Sequence, residues 1–137
     1  MRIAVIYFSG NNRNKLLNSA RGLVRGIESQ GHIVDLIDGR QIREKKLTIY
    51  RYIAVGTESV NLFGKIPTLI TESLKAAGSI SGKKSFAFVQ KSFFGAQKAL
   101  LWLMAFMEKE GMFIKFSEIF SNPIEAEEVG KCLHITE

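Results

Sequence analysis

The sequence predicts one three-layer α/β domain, 1–137, built on a doubly wound, five-stranded parallel sheet. Three observations lead there. Five apolar runs of strand length alternate with helical stretches along the chain, the pattern of strands joined by crossover helices. A chain of 137 residues can bury a full core, and its length fits one domain. Finally, no Pro/Ser-rich linker, internal repeat or low-complexity segment divides it.

The elements follow in order. Arg2–Phe8 is apolar at nearly every position, as a strand covered on both faces requires. Ser9-Gly10-Asn11-Asn12-Arg13-Asn14 is a tight polar loop. The helix after it, from about Asn14 to Gln30, carries Leu16, Leu17, Ala20, Leu23, Val24 and Ile27 on one stripe, and Gly31 stops it. His32–Ile37 and Tyr50–Val55 read as the second and third strands. The charged segment 39–48 between them is a weak helix at best, although parallel strands need a crossover there. Pro67 sits where a helix starts, with Ile66, Leu69, Ile70 and Leu74 facing inward. Ser85–Gln90 is the fourth strand. The helix from about Ala96 to Glu110 has one apolar stripe in Ala99, Leu100, Leu103, Met104 and Met107. A second stripe, Leu101, Trp102 and Ala105, exceeds what a core needs, so it covers neighbouring chain or faces a partner, including a second copy. Phe113–Phe120 is the last strand, and Asn122-Pro123 opens a short Glu-rich helix.

Composition bounds the function. Apolar content of 46% and charged content of 23% are those of a globular protein. No secretory pattern opens the chain, and no apolar run approaches the roughly 20 residues of a membrane span. The single cysteine, Cys132, excludes an internal disulfide and a Cys-rich metal site, and fits a reducing cytoplasm. Net charge is +6, and its excess is local: residues 1–52 hold ten Lys/Arg against four Asp/Glu, whereas 53–137 hold nine of each. Such a field attracts acidic ligands or acidic protein surfaces. Residues 39–51 lack the aromatic–basic interleaving of single-strand binders, which argues against nucleic acid. His32 and His134 stand apart from any nucleophile, and no spacing marks a metal site.

In such a sheet, ligands bind at the carboxyl ends of the strands where the strand order switches. The loops expected there are 9–14, 56–66 and 90–95. The first is a ready anion cradle, because backbone N–H groups and a helix dipole converge on it. Several phosphate-binding classes are excluded by what it lacks. It has one glycine where a dinucleotide fingerprint needs G-x-G-x-x-G, and it contains no Walker A lysine motif. It offers neither the acidic residues of a response-regulator receiver nor the nucleophilic cysteine of a phosphatase. Asp38, at the end of the second strand, reads as a turn or capping residue.

The stretch Val5-Ile6-Tyr7-Phe8-Ser9-Gly10-Asn11-Asn12-Arg13-Asn14 resembles the opening of flavodoxins, where a strand leads into a loop of pattern [ST]-x-[ST]-G-x-[ST] around the FMN phosphate. Val55-Gly56-Thr57 with Phe63-Gly64-Lys65-Ile66-Pro67 is similar to their loop after strand three, and Phe93-Phe94-Gly95-Ala96-Gln97 to the loop after strand four. The resemblance covers essentially the whole chain and implies strand order 2-1-3-4-5. It also implies an FMN site: Ser9, Gly10, Asn11, Asn12, Arg13 and Asn14 around the phosphate, the backbone from Thr57 through Glu58 and Ser59 to Leu62 along the ring edge, and Phe63, Phe93, Phe94 and Gly95 at its faces. Arg13 faces either the phosphate or solvent. Three departures accompany it. Asn replaces hydroxyls at 11 and 14 and glycine at 12, Glu58 stands where relatives commonly carry proline, and the family's tyrosine in the last loop is missing. The implied function is FMN-dependent electron transfer with a redox partner that offers an acidic docking surface, since the chain is basic where flavodoxins are typically acidic. The alternatives are a flavodoxin-fold interaction protein that has lost FMN, or a flavin-dependent NAD(P)H or quinone reductase.

Overall fold

The computed structural model describes residues 1–10, 13–44, 46–61, 63–77 and 80–136. Five strands, β1 (Arg2–Phe8), β2 (Ile33–Asp38), β3 (Tyr52–Glu58), β4 (Lys84–Gln90) and β5 (Phe113–Phe120), form one sheet in the order β2-β1-β3-β4-β5. Every neighbouring pair is parallel. Four helices connect and cover them: α1 (Arg13–Glu28), α2 (Leu69–Ala77), α3 (Ala96–Lys109) and α4 (Pro123–Cys132). The β2–β3 crossover is carried by two short 3₁₀ turns, Gly39–Glu44 and Leu47–Ile49. They seat Ile42 and Leu47 in the core, so a crossover was needed and a full helix was not.

Strand alternation divides the core in two. Ala4, Ile6 and Phe8 of β1 face α2, α3 and the 3₁₀ turns, packing with Ile53, Val55, Ile70, Leu74, Leu103 and Met107. Ile3, Val5 and Tyr7 face α1 and α4, packing with Leu16, Leu23, Ile27, Tyr52, Phe86 and Phe88. Burying Leu23 fully stabilises by about 2–3 kcal/mol.

Small residues seat α1 against α4. A Cβ on Gly22 would lie 2.3 Å from the Pro123 carbonyl oxygen, one on Gly26 2.2 Å from that of Glu127, and one on Gly130 2.7 Å from that of Leu23. The helices thus approach backbone to backbone. Asn122 caps α4 by accepting from the Glu125 N–H at 2.8 Å, and Arg25 pairs with Glu127 at 2.7 Å. A buried hydrogen bond from Ser19 Oγ to Gln90 Oε1 ties α1 to the end of β4. Together these seat the second half of α1 on α4 and tie its middle to the end of β4.

The third strand is the main correction to the sequence reading. It starts at Tyr52 rather than Tyr50 and runs on through Glu58, pairing Gly56, Thr57 and Glu58 with Phe88, Val89 and Gln90. Thr57 and Glu58 are therefore buried strand residues and not loop residues. The polar side chains are tolerated because each finds a partner, as described next.

Candidate functional site

Three loops meet at the carboxyl edge of the sheet, after β1, β3 and β4. Ser9 and Gly10 leave β1 half-buried. Thr57 Oγ1 donates to the Phe8 carbonyl at 2.8 Å, which stitches the end of β3 to the end of β1. One residue on, the Gly10 N–H donates to Glu58 Oε2 at 2.8 Å. Glu58 is only 3% exposed. A carboxylate buried to this degree requires hydrogen-bond compensation, and the loop after β1 provides it. Gly10 is required here by crowding, since a Cβ on it would meet Val60 Cγ1 at 2.6 Å and Glu58 Cγ at 3.1 Å.

Arg13 opens α1. Its Nη2 lies 3.3 Å from the Tyr7 hydroxyl and 3.8 Å from Asp38 Oδ2. Asp38 also accepts from the Arg40 backbone N–H at 3.0 Å and pairs with the Arg40 guanidinium at 2.9 Å. It is the turn residue its position predicts. Hydrogen bonding to Arg40 holds its carboxyl below the usual range, with burial opposing and Arg13 adding a smaller pull. Asn14 is exposed on the first turn of α1. Asn11, Asn12 and Leu62 lie outside the described residues.

The loop after β3 is closed on itself. Val60 N–H donates to the Lys65 carbonyl at 2.7 Å, Asn61 Oδ1 accepts from the Phe63 and Lys65 N–H groups, and Ser59 Oγ donates to the Asn61 carbonyl at 2.6 Å. It locks against the loop after β4. Gly95, at φ +85° before α3, would bring a Cβ within 2.7 Å of Ser59 Oγ and 2.8 Å of the Gly64 nitrogen. Only glycine serves there, by conformation and by space. Ser59 and Gly95 are thus brought together as loop-locking groups.

The aromatic residues divide. Phe93 and Phe94 form an edge-to-face pair with ring centroids 4.6 Å apart, at 91% and 53% exposure. Phe63 instead lines a hollow of about 360 Å³ with Ile66, Pro67, Thr71, Trp102 and Phe106, between the β3 loop, α2 and α3. Phe93 and Phe94 do not line it. Leu101 and Trp102 are exposed, as the second stripe on α3 predicts. A larger cavity of about 570 Å³ lies at the opposite edge of the sheet. Tyr52, Lys84, Lys115, Phe116 and His134 line it where α4 leaves β5 partly uncovered. The sequence carried no sign of it. Nor did it show that Glu58 and Gly10 meet, although the unusual acid at 58 was visible. Among the described residues, no group of three or more His, Cys, Asp or Glu gathers as a metal site, and no helix is long and apolar enough to cross a membrane.

The three loops lie where the strand order of a doubly wound sheet switches, the position at which such sheets bind ligands. The chain resembles a flavodoxin from the domain Archaea, at 21% identity over 96% of this chain and 95% of that one, with a TM-score of 0.75. An oxidised flavodoxin from Bacillus cereus matches at 16% identity and TM-score 0.68 over 93% and 94%. The flavodiiron protein from Giardia intestinalis matches at 16% and 0.69, over 96% of this chain and 35% of that one. Neither a protein-family model nor a curated protein sequence matches the chain. The fold is flavodoxin-like, with the strand order that the sequence resemblance implies.

The residues present fit FMN unequally. Where a flavin ring would lie, the Phe93–Phe94 pair offers exposed aromatic surface beside the loop contact at Gly95. Where its phosphate would lie, the Gly10 amide already serves the Glu58 carboxylate.

Proposed function

We propose that this chain is a flavin-binding electron carrier, with the flavin held across the three carboxyl-edge loops. The observation that supports it most is the exposed Phe93–Phe94 pair on the loop after β4, at the edge where the strand order switches. When bound, a flavin supplies one- and two-electron chemistry, and the protein positions it and tunes its electronics. The chain's own groups supply contact surface in Phe93 and Phe94, loop rigidity in Ser59, Gly64 and Gly95, and anchorage of β1 to β3 through Thr57. A redox partner with an acidic docking face complements the basic first 52 residues, and would associate in a salt-dependent way.

The test is a fluorescence titration of the purified protein against FMN and riboflavin. Binding quenches flavin emission and shifts the flavin absorbance bands, and Phe93→Ala with Phe94→Ala weakens it at least tenfold. Unchanged emission from both flavins refutes the reading. NAD(P)H consumption by the loaded protein would instead assign it to the reductases. A second reading, a flavin-free interaction module, is favoured by the apolar surface of Phe63, Leu101 and Trp102, which are 75%, 64% and 54% exposed. A partner or a second copy covering that surface would quench or shift Trp102 emission.

A further inference from the structure

We propose that Glu58 is an internal stand-in for a ligand's phosphate: it closes the cradle after β1 to phosphate-bearing ligands and makes the site prefer riboflavin to FMN. The preference between flavins rests on the flavin reading above. The stand-in role itself rests on geometry.

The cradle lies where the chain leaves β1 for the N-terminus of α1. Backbone N–H groups and the helix dipole make that position favourable for an anion. In this protein the chain itself brings a carboxylate to the Gly10 N–H of that loop. Glu58 Oε2 accepts from the Gly10 N–H at 2.8 Å, and the acid is 3% exposed. Alternation along β3 sends this side chain to the α1 face. Tyr52 and Ala54 pack on that side, while Ile53 and Val55 pack on the other. The missing Cβ of Gly10 gives it room, with the Glu58 Cγ only 3.1 Å from where that Cβ would stand.

The loop's cation is committed elsewhere as well. Arg13 lies against the Tyr7 hydroxyl and the Asp38 carboxylate. A phosphate dianion entering the cradle would compete for the Gly10 donor and meet a like charge at hydrogen-bonding range. A ribityl chain ending in a neutral hydroxyl would instead donate to that carboxylate. Like charges a few ångströms apart near a protein surface disfavour binding by on the order of 100-fold or more.

The experiment compares the full-length chain with Glu58→Gln and Glu58→Ser, titrating each with FMN and with riboflavin by flavin fluorescence. The wild type should bind riboflavin at least about tenfold more tightly than FMN. Both variants should gain about 100-fold for FMN, with riboflavin affinity unchanged or weakened. Wild-type FMN affinity equal to that of the variants, or parallel changes in both flavins, overturns the proposal. If no protein binds either flavin, the flavin reading fails, and the preference between flavins fails with it. Inorganic phosphate then decides the stand-in role. A phosphate-dependent shift of the Gly10 amide resonance in Glu58→Ser but not in the wild type upholds it. No shift in either protein, or the same shift in both, overturns it.

Discussion

Gly26→Ala tests how α1 is seated on α4. Two effects of opposite sign compete. Replacing a mid-helix glycine by alanine favours the helix by about 1 kcal/mol. Against that, the new Cβ would stand 2.2 Å from the Glu127 carbonyl oxygen, 2.8 Å from Gly130 Cα and 2.9 Å from the Lys131 nitrogen. The first contact lies about 1 Å inside ordinary approach. All three neighbours are backbone, so no rotamer change relieves it, and α4 must move off α1. Overpacking of this kind costs about 3 kcal/mol or more, leaving a net loss of about 2 kcal/mol. For a 137-residue domain, the entropy of unfolding of about 0.3 kcal/mol per kelvin turns that into a Tm drop of about 7 °C. Circular-dichroism melts and urea titrations of the variant and wild type read both quantities. Gly31→Ala is the control. Nothing lies within 4 Å of its added Cβ, and only its φ of +94° resists the change, so it should lose about 1 kcal/mol. A Gly26→Ala protein as stable as the wild type would refute the backbone-to-backbone seating of α1 on α4.

Other outcomes follow from single contacts. Thr57→Val keeps the shape but removes the donor to the Phe8 carbonyl, and should cost about 1–3 kcal/mol in urea unfolding. Burial, with help from Asp35, pushes the Tyr50 phenol up to about 12, and burial pushes Tyr52 higher still. In the folded protein both should stay protonated at pH 11, leaving most of the tyrosinate absorbance at 295 nm to appear only on unfolding. Folding raises both groups, so the stability they contribute is full below their unfolded value near 10 and falls as pH rises toward their folded values. Asp38 works in the other direction, because Arg40 lowers its carboxyl. Its contribution is full above the unfolded value near 3.8 and is lost as pH falls through the folded one. Asp38→Asn should therefore be less stable than the wild type at pH 7, by about 1 kcal/mol or less, with the difference vanishing toward pH 2.

The fold was legible because its signals are local. An apolar run such as Arg2–Phe8 and a stripe such as Leu16, Ala20, Leu23 and Ile27 declare strand and helix without knowledge of any neighbour. The glycines of α1 are the opposite case. In sequence, Gly22 and Gly26 only lower helix propensity, and their purpose exists once α4 lies against them. Phe63, Phe93 and Phe94 show a further limit. An aromatic residue after a strand carries the same sequence signal whether it packs or waits for a ligand. Here Phe63 lines the hollow beside α2 and α3, while Phe93 and Phe94 stand out from the sheet edge.

The candidate site turned on the boundary of β3. The resemblance puts Thr57 and Glu58 in the loop after the third strand, where their polar side chains need no partner within the sheet. Phe8 and Gly10 pair them, so the strand continues and both residues are buried. Once Glu58 is a strand residue, alternation alone directs it to the α1 face, beneath the loop that was read as a phosphate cradle. Its unusual acid then acquires a position, and the position supplies the reason. The loop's glycine and the strand's carboxylate form one device, in which the absence of a side chain at 10 admits the charge at 58. Read alone, the glycine belongs to a phosphate cradle and the acid is only a departure from the family's proline. Together they set a carboxylate against the backbone donor that a bound phosphate would need.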